Sequence, residues 1–123
     1  MRTIKKILIA EDELLIAKVL RLQLEEAGFT VENVVDGYEA FSRVTDWIPD
    51  LVIMDNYLKN NTNGIEVAAK MRNKNITIPI IFVTGNSFDN TKLLAKAIGN
   101  SSVLSKPIVF EQLMELIRNY DGQ

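Results

Sequence analysis

Short apolar runs that alternate with helical patterns are the feature that most constrains how this chain folds. Five runs predict strands, at Lys6–Ala10, Thr30–Val35, Leu51–Met54, Ile78–Val83 and Val103–Leu104. Several are continuous in Ile, Leu and Val, which is typical of parallel strands that are buried on both faces. A helical pattern follows each run. This alternation predicts an α/β fold, a doubly wound five-stranded parallel sheet with helices on both faces.

Amphipathic periodicity and capping residues predict the helices. The first, Leu14–Ala27, carries Leu15, Val19 and Leu22 on an apolar face opposite a charged face. Asp36 is a suitable N-cap for the second helix. The other three are predicted at Gly64–Asn73, after a cap at Ser87 or Asp89, and through the apolar positions Phe110, Leu113, Met114 and Ile117.

Composition excludes several classes of protein. A length of 123 residues with 47% hydrophobic side chains predicts one globular domain over residues 1–123, with no effector domain. The net charge of −2 argues against direct nucleic-acid binding. The absence of cysteine and histidine excludes disulfides, thiolate metal sites and a histidine base. No apolar run reaches the roughly 18 residues of a membrane span, and there is no signal peptide, so we expect a soluble cytoplasmic protein without membrane contact.

Polar residues follow four of the predicted strands. They are Glu11, Asp12 and Glu13 after the first, Asp55 after the third, Thr84 and Gly85 after the fourth, and Lys106 and Pro107 after the fifth. In open α/β sheets, ligands bind at the carboxyl ends of the strands, near the point where the strand order reverses. We therefore expect carboxylates, a hydroxyl and an ammonium group to converge at one edge of the sheet.

The chemistry of this group favours phosphoryl transfer. A nucleotide site would carry a glycine-rich loop after the first strand, whereas this chain carries acids that repel phosphate and attract a hard cation. Carboxylate oxygens suit Mg²⁺ or Mn²⁺, and a bound cation lets an anion approach. Thr84 and Lys106 are then suited to bind phosphoryl oxygens. Asp55 would be the nucleophile that faces the phosphorus atom.

Each of these residues also has a plainer explanation. Acids such as Glu11–Glu13 are common at helix N-termini because of the helix dipole. Asp55 has the residue type of an ordinary turn, Thr84 that of a strand end, and Lys106 that of a solvated surface. Their joint placement at one edge of the sheet is what favours a functional site.

The motifs resemble those of the receiver domains of two-component response regulators, in the CheY-like superfamily, over about Lys5 to Tyr120. The matching residues are Glu11-Asp12 after the first strand, Asp55 in DLVIMD, Thr84 in IIFVTG and Lys106-Pro107 in VLSKP. The resemblance implies the flavodoxin-like strand order 2-1-3-4-5. It also implies a regulatory phosphoacceptor rather than an enzyme with a separate substrate.

The resemblance assigns roles to these residues. Asp55 would accept a phosphoryl group from the phosphohistidine of a sensor histidine kinase or phosphotransfer protein, and the domain would then regulate a downstream effector. Thr84 and Lys106 would contact the phosphoryl oxygens, with a cis Lys106–Pro107 peptide bond. Mg²⁺ would be bound by Asp12, Asp55 and the backbone carbonyl of Tyr57, with Glu11 acting through water.

The chain departs from the family pattern in three places. Val103 stands where receivers commonly carry Tyr or Phe, so we hypothesise that the signal travels by loop movement and repacking around Val103 and a helix Asp89–Ile98, with Phe88 as the substitute aromatic. The loop NYLKNNTN lacks the common Met-Pro and is longer by one residue. Val109 is a poor N-cap for the last helix.

Two other functions compete with that of a phosphorylated switch. One is a flavodoxin-like domain that binds flavin or a nucleotide, which the missing glycine loop and the acids argue against. The other is a degenerate receiver that acts only as a protein-binding module. A degenerate receiver would lack an acid, the threonine or the lysine, and this sequence retains all of them.

Overall fold

The computed structural model describes residues 3–85 and 90–123. Ser87, Asp89 and Phe88, which the sequence suggested as caps and as a substitute aromatic, lie outside the described residues. The strands are β1 (Lys6–Ala10), β2 (Thr30–Val34), β3 (Leu51–Asp55), β4 (Ile80–Thr84) and β5 (Ser101–Ser105). The helices are α1 (Leu14–Glu26), α2 (Gly37–Asp46), α3 (Gly64–Asn73), α4 (Thr91–Ile98) and α5 (Phe110–Tyr120).

The five strands form one parallel sheet in the order β2-β1-β3-β4-β5, which confirms the predicted fold. The strand order reverses at β1, whose neighbours are β2 and β3. Ala10 of β1 is paired with Met54 of β3, so Glu11 and Asp55 leave these two strands side by side. The reversal point is where ligands bind in folds of this type.

The strand ends differ from the sequence prediction at informative places. β3 and β4 each end one residue later than predicted, so that Asp55 and Thr84 are the last residues of their strands rather than loop residues. β4 begins at Ile80 rather than Ile78 because Pro79 has no N–H to donate to a neighbouring strand. β5 is longer than predicted, because Ser101 and Ser102 pair with β4 despite the low strand propensity of serine.

Two apolar layers cover the sheet. Side chains of β1 that point to one face pack with α1 and α5, for example with Leu24 of α1 and Leu113 of α5. Side chains that point to the other face pack with α2, α3 and α4, as Val44 and Met71 show. Phe82 in β4 is fully buried in this second layer. Burial on both faces explains why the strands are continuous apolar runs.

The predicted apolar face of α1 is wrong. Leu15, Val19 and Leu22 are 76%, 51% and 56% exposed, whereas the buried residues are Ala17, Leu20 and Leu24. The helix carries apolar residues on more than one side, and the side with the small Ala17 is the one that packs against the sheet. An apolar surface that the core does not use is left exposed on α1.

Polar side chains fix the start of two helices. Asp36 accepts a hydrogen bond from the Glu39 N–H at 2.8 Å, which confirms it as the N-cap of α2. Asn63 accepts from the Ile65 N–H at 2.8 Å at the start of α3. Val109 gives α5 no side-chain cap, as expected. In the described part of the chain, no helix combines the length and the apolar character needed to cross a membrane.

Candidate functional site

Three carboxylates meet at the carboxyl ends of β1 and β3. Glu11 and Asp12 follow β1, Asp55 ends β3, and one oxygen from each lies within 4.8 Å of the other two. Glu11 and Asp55 are only 5% and 4% exposed, while Asp12 is partly exposed. Carboxylates brought together in a partly buried cleft repel one another unless a cation is near. The cluster therefore requires positive charge.

Lys106, which directly follows β5 at the same edge of the sheet, supplies part of that charge. Its Nζ lies 2.5 Å from Asp55 Oδ2 and 3.4 Å from Glu11 Oε1. Its backbone N–H donates to the Thr84 carbonyl at 2.8 Å, which places the lysine directly after the paired ends of β4 and β5. The Lys106–Pro107 peptide bond is cis. One ammonium group thus bridges two of the three acids.

The surroundings of the cluster raise the pKa values of two of its groups, Glu11 and Lys106. The pKa of Glu11 is raised to about 7, mainly by burial, because removal from water favours the neutral acid, and the charge of Asp55 contributes to the rise. A hydrogen bond from the Glu13 N–H and the charge of Lys106 offset part of this rise. Burial alone would lower the pKa of Lys106, but its hydrogen bond to Asp55 and the two acidic charges outweigh burial, so the pKa lies above 10.5.

Thr84 and Tyr57 are the other two residues named from the sequence. Thr84 ends β4, next to β3, and is 6% exposed. The Tyr57 N–H donates to Asp55 Oδ1 at 3.0 Å, so the loop after β3 orients the carboxylate. A cleft of about 380 Å³ opens over the cluster and is lined by Asp12, Glu13, Asp55, Tyr57, Gly85 and Lys106. The predicted site residues therefore surround or adjoin one cleft.

Two residues that support the site were missed from the sequence. Gly64 lies so close to β3 that a Cβ atom there would be 2.5 Å from the Asp55 carbonyl oxygen. Asn56 is a buried polar residue, 5% exposed, whose Nδ2 donates to the Thr91 Oγ1 at 3.1 Å. The Gly64 requirement comes from close backbone packing, and the Asn56 contact joins residues that are 35 apart in sequence. Neither the close packing at Gly64 nor the contact of Asn56 can be read from a local sequence pattern.

The donor set fits a hard divalent cation. Three carboxylates supply oxygen ligands, no histidine or cysteine is present to favour a softer metal, and an open cleft leaves room for water ligands. The acidic cluster of Glu11, Asp12 and Asp55 can therefore hold a metal ion. Lys106, which already contacts Asp55, would share that carboxylate with the cation.

Comparison with known proteins identifies the family. The profile of the family described as "Response regulator receiver domain" matches residues 7–118. The chain belongs to the response regulator receiver family. Receiver domains are the regulatory phosphoacceptor modules of two-component systems, and the acidic cluster of this chain fits Mg²⁺ binding.

Individual relatives agree with this assignment. Over 103 residues the receiver is 33% identical to the alkaline phosphatase synthesis transcriptional regulatory protein PhoP of Bacillus subtilis, covering 84% of this chain and 42% of PhoP. It is 31% identical to the phosphate regulon transcriptional regulatory protein PhoB of Rhizobium meliloti over 115 residues, covering 92% of this chain and 50% of PhoB. The chain thus spans about half the length of the curated relatives it matches.

Solved structures give the same fold. The chemotaxis protein CheY4 of Vibrio cholerae superimposes with a TM-score of 0.85 at 26% identity, covering 96% of this chain and 99% of CheY4. A putative response regulator from Chloroflexus aurantiacus gives a TM-score of 0.86 at 26% identity, covering 96% and 98% of the two chains.

Proposed function

We propose that this receiver is a phosphorylatable switch in which Asp55 accepts a phosphoryl group from the phosphohistidine of a sensor histidine kinase or phosphotransfer protein. The observation that carries the proposal is the position of Asp55 Oδ2, which lies 2.5 Å from Lys106 Nζ beside two further acids in an open cleft. A carboxylate held next to a fixed cation is a suitable nucleophile for an incoming phosphoryl group.

In the proposed reaction, a carboxylate oxygen of Asp55 attacks the phosphorus atom of the phosphohistidine. The P–N bond breaks, its electron pair returns to the imidazole nitrogen of the partner, and an aspartyl phosphate forms. Lys106 neutralises negative charge that develops on the phosphoryl oxygens, and Thr84 donates a hydrogen bond to one of them. Later hydrolysis of the acyl phosphate returns Asp55 to the free carboxylate, so the domain resets itself without acting on a separate substrate.

Mg²⁺ is the cation we assign to the acidic cluster. Asp12, Asp55 and the Tyr57 carbonyl would hold it, with Glu11 acting through a water molecule. Bound there, Mg²⁺ would supply positive charge to neutralise the transferring phosphoryl group. The acids of this chain would hold the cation beside Asp55, and Lys106 would bind a phosphoryl oxygen. The three clustered carboxylates support this assignment.

The exposed face of α1 is the surface we assign to the phosphodonor protein. A groove of about 560 Å³ lies between Leu15 and Val19 of α1 and Pro107 and Ile108 after β5, and Lys106 also lines it. Because the groove and the phosphoacceptor cleft share Lys106, a partner seated in the groove brings its phosphohistidine next to Asp55. Apolar side chains that are half or more exposed are typical of such a docking surface.

A small phosphodonor tests the proposed chemistry without a partner. Incubation with acetyl phosphate and Mg²⁺ should increase the intact mass of the protein by one phosphoryl group, and EDTA should prevent the increase. Asp55→Asn should not be labelled, whereas Asp46→Asn, which removes an exposed carboxylate on α2, should be labelled like the wild type. Equal labelling of Asp55→Asn would contradict the proposal.

A further inference from the structure

Asn56 connects the phosphoacceptor strand to three other elements. It directly follows Asp55 and is buried, and its Nδ2 donates to the Thr91 Oγ1 at 3.1 Å. Its Oδ1 accepts a longer hydrogen bond, 3.4 Å, from the Ile65 N–H at the start of α3. Its backbone N–H donates to the Val83 carbonyl in β4 at 3.2 Å. Asn56 therefore connects the residue next to Asp55 with α3, β4 and α4 through hydrogen bonds.

The carboxyl end of α4 is firmly attached to the rest of the domain. The guanidinium group of Arg72 donates to the Gly99 carbonyl at 3.0 Å, just beyond the end of the helix. The hydroxyl of Ser101 donates to the Ala95 carbonyl at 2.7 Å. These contacts come from α3 and β5, which belong to the packed body of the fold. The carboxyl end of α4 is thus a fixed point about which the helix can pivot.

The amino end of α4 is held differently. Asn90 precedes the helix and provides no side-chain cap, and Thr91 and Ala95 are the buried residues of α4. Thr91 is 1% exposed, so its contact with Asn56 lies out of water. Leu93, by contrast, is 70% exposed. The apolar packing of α4 comes from Ala95 and Ile98, which lie in the second half of the helix. The buried hydrogen bond between Asn56 and Thr91 therefore contributes to the position of the first turn.

We propose that the hydrogen bond between Asn56 and Thr91 holds α4 in the resting position while Asp55 is unphosphorylated, and that phosphorylation releases it. The proposal rests on the function assigned to Asp55 above. The observed arrangement is the resting one, because Lys106 Nζ bonds directly to Asp55 Oδ2 where a phosphoryl group would otherwise intervene. Asn56 is a positioning residue in this account and takes no part in phosphoryl transfer.

Phosphorylation gives the Asn56–Thr91 contact a reason to break. An aspartyl phosphate carries close to two negative charges in place of the single charge of the carboxylate, and it brings three acceptor oxygens. The phosphoryl group must fit between Asp55 Oδ2 and Lys106 Nζ, which now lie 2.5 Å apart. Because Asp55 Oδ1 also accepts from the Tyr57 N–H, a shift of the carboxylate displaces the backbone of residues 55–57. Hydrogen bonds weaken steeply when donor and acceptor are misaligned, and a buried donor without a partner is unfavourable. We therefore expect α4 to occupy two distinct positions rather than to shift gradually. This mechanism needs no aromatic side chain at position 103.

The test compares variants that remove the contact from either side. Asn56→Leu keeps the approximate size of the side chain without the donor, and Thr91→Val removes the hydroxyl of its partner. Each is titrated with beryllofluoride at saturating Mg²⁺, with amide NMR signals of Leu94 and Ala95 as the readout. Loss of the resting contact should tighten beryllofluoride binding by about fivefold, the value of an ordinary net hydrogen bond. Without beryllofluoride, the α4 signals should already lie toward their bound-state positions.

Three controls make the result specific. Thr91→Ser retains the hydroxyl and should behave like the wild type. The double variant Asn56→Leu/Thr91→Val should tighten binding no more than either single variant, because both remove the same contact. Mg²⁺ affinity in the absence of beryllofluoride should be equal in all variants, since neither Asn56 nor Thr91 is a ligand of the metal ion. Thr91→Val tests the contact from α4 in case Asn56→Leu does not fold.

The outcomes separate this inference from the proposed function. If the wild type shows no response to beryllofluoride, both the function and the inference are wrong. If the wild type responds, but the variants bind beryllofluoride with equal or lower affinity, the Asn56–Thr91 contact does not hold the resting state and the proposed function stands. A fall in Mg²⁺ affinity in the single variants would show that they disturb the acid cluster, and would also overturn the inference.

Discussion

Glu11 makes the metal-free protein sensitive to pH, and its replacement by Gln should show how much. Glu11 is almost fully buried, and its pKa rises from 4.5 to about 7 on folding. The folded state therefore binds a proton between these values that the unfolded state has released. Stability falls as the pH rises through this interval, and the full cost is present above pH 7. Below pH 4.5 the cost disappears.

The magnitude follows from the size of the rise in pKa. A difference of one in pKa corresponds to about 1.4 kcal/mol, so the rise at Glu11 corresponds to about 3 kcal/mol of lost stability at alkaline pH. Glu11→Gln keeps the shape and removes the charge at every pH. In EDTA, the variant should therefore be more stable than the wild type at pH 8, by up to about 3 kcal/mol, and nearly equal to it at pH 4.5.

Urea denaturation at a series of pH values between 4.5 and 8 measures this difference. Glu13→Gln is the matched control, since Glu13 is exposed and its replacement should change stability by no more than a few tenths of a kcal/mol at any pH. Lys106 contacts Glu11, and its hydrogen bond to Asp55 and the acidic charges raise its pKa above the ordinary lysine value, so it stays charged throughout. Parallel stability curves for Glu11→Gln and the wild type would refute the reasoning.

Three further predictions concern the acids, the switch and the docking surface. Asp12→Asn removes one of three clustered carboxylates, so it should stabilise the metal-free protein by on the order of 1 kcal/mol. It should also abolish most of the rise in melting temperature that Mg²⁺ produces. A lower melting temperature than the wild type in EDTA, with an intact Mg²⁺ response, would contradict a metal site. Thr84→Ala should still be labelled at Asp55 but should give smaller NMR shifts after β4 and β5, and shifts equal to those of the wild type would rule out the coupling. Val19→Glu on α1 should slow phosphotransfer from phosphorylated histidine kinases of the source organism, screened as a panel, and leave labelling by acetyl phosphate unchanged; equal transfer rates would exclude the groove as the docking surface.

The sheet was predictable from the sequence because its strands are buried on both faces. Such strands must be continuous apolar runs, and Leu51–Asp55 and Ile80–Thr84 stand out for that reason. The meeting of the candidate site residues was predictable because parallel strands present their carboxyl ends at one edge. Glu11 and Asp55 could therefore be placed together, although they are far apart in the chain.

Features that depend on tertiary packing were not predictable. The pattern of α1 offers more than one apolar side, and only the fit of Ala17 against the sheet decides which side is buried. Asn56 has the residue type of an ordinary loop position, and its burial against Thr91 depends on where α4 lies. Likewise, nothing local to Glu11 signals a pKa near 7, because burial by surrounding elements is the main cause.

Chemical mapping of the phosphorylated residue tests the central claim most directly. Borohydride reduces an aspartyl phosphate to homoserine, so the phosphorylated chain can be reduced, digested and sequenced by mass spectrometry. Phosphorylation with acetyl phosphate and Mg²⁺ should place homoserine at position 55, and the EDTA-treated sample should retain aspartate there. Homoserine at Asp12 or at another acid in place of Asp55, or its absence from a chain that carries a phosphoryl group, would contradict the account.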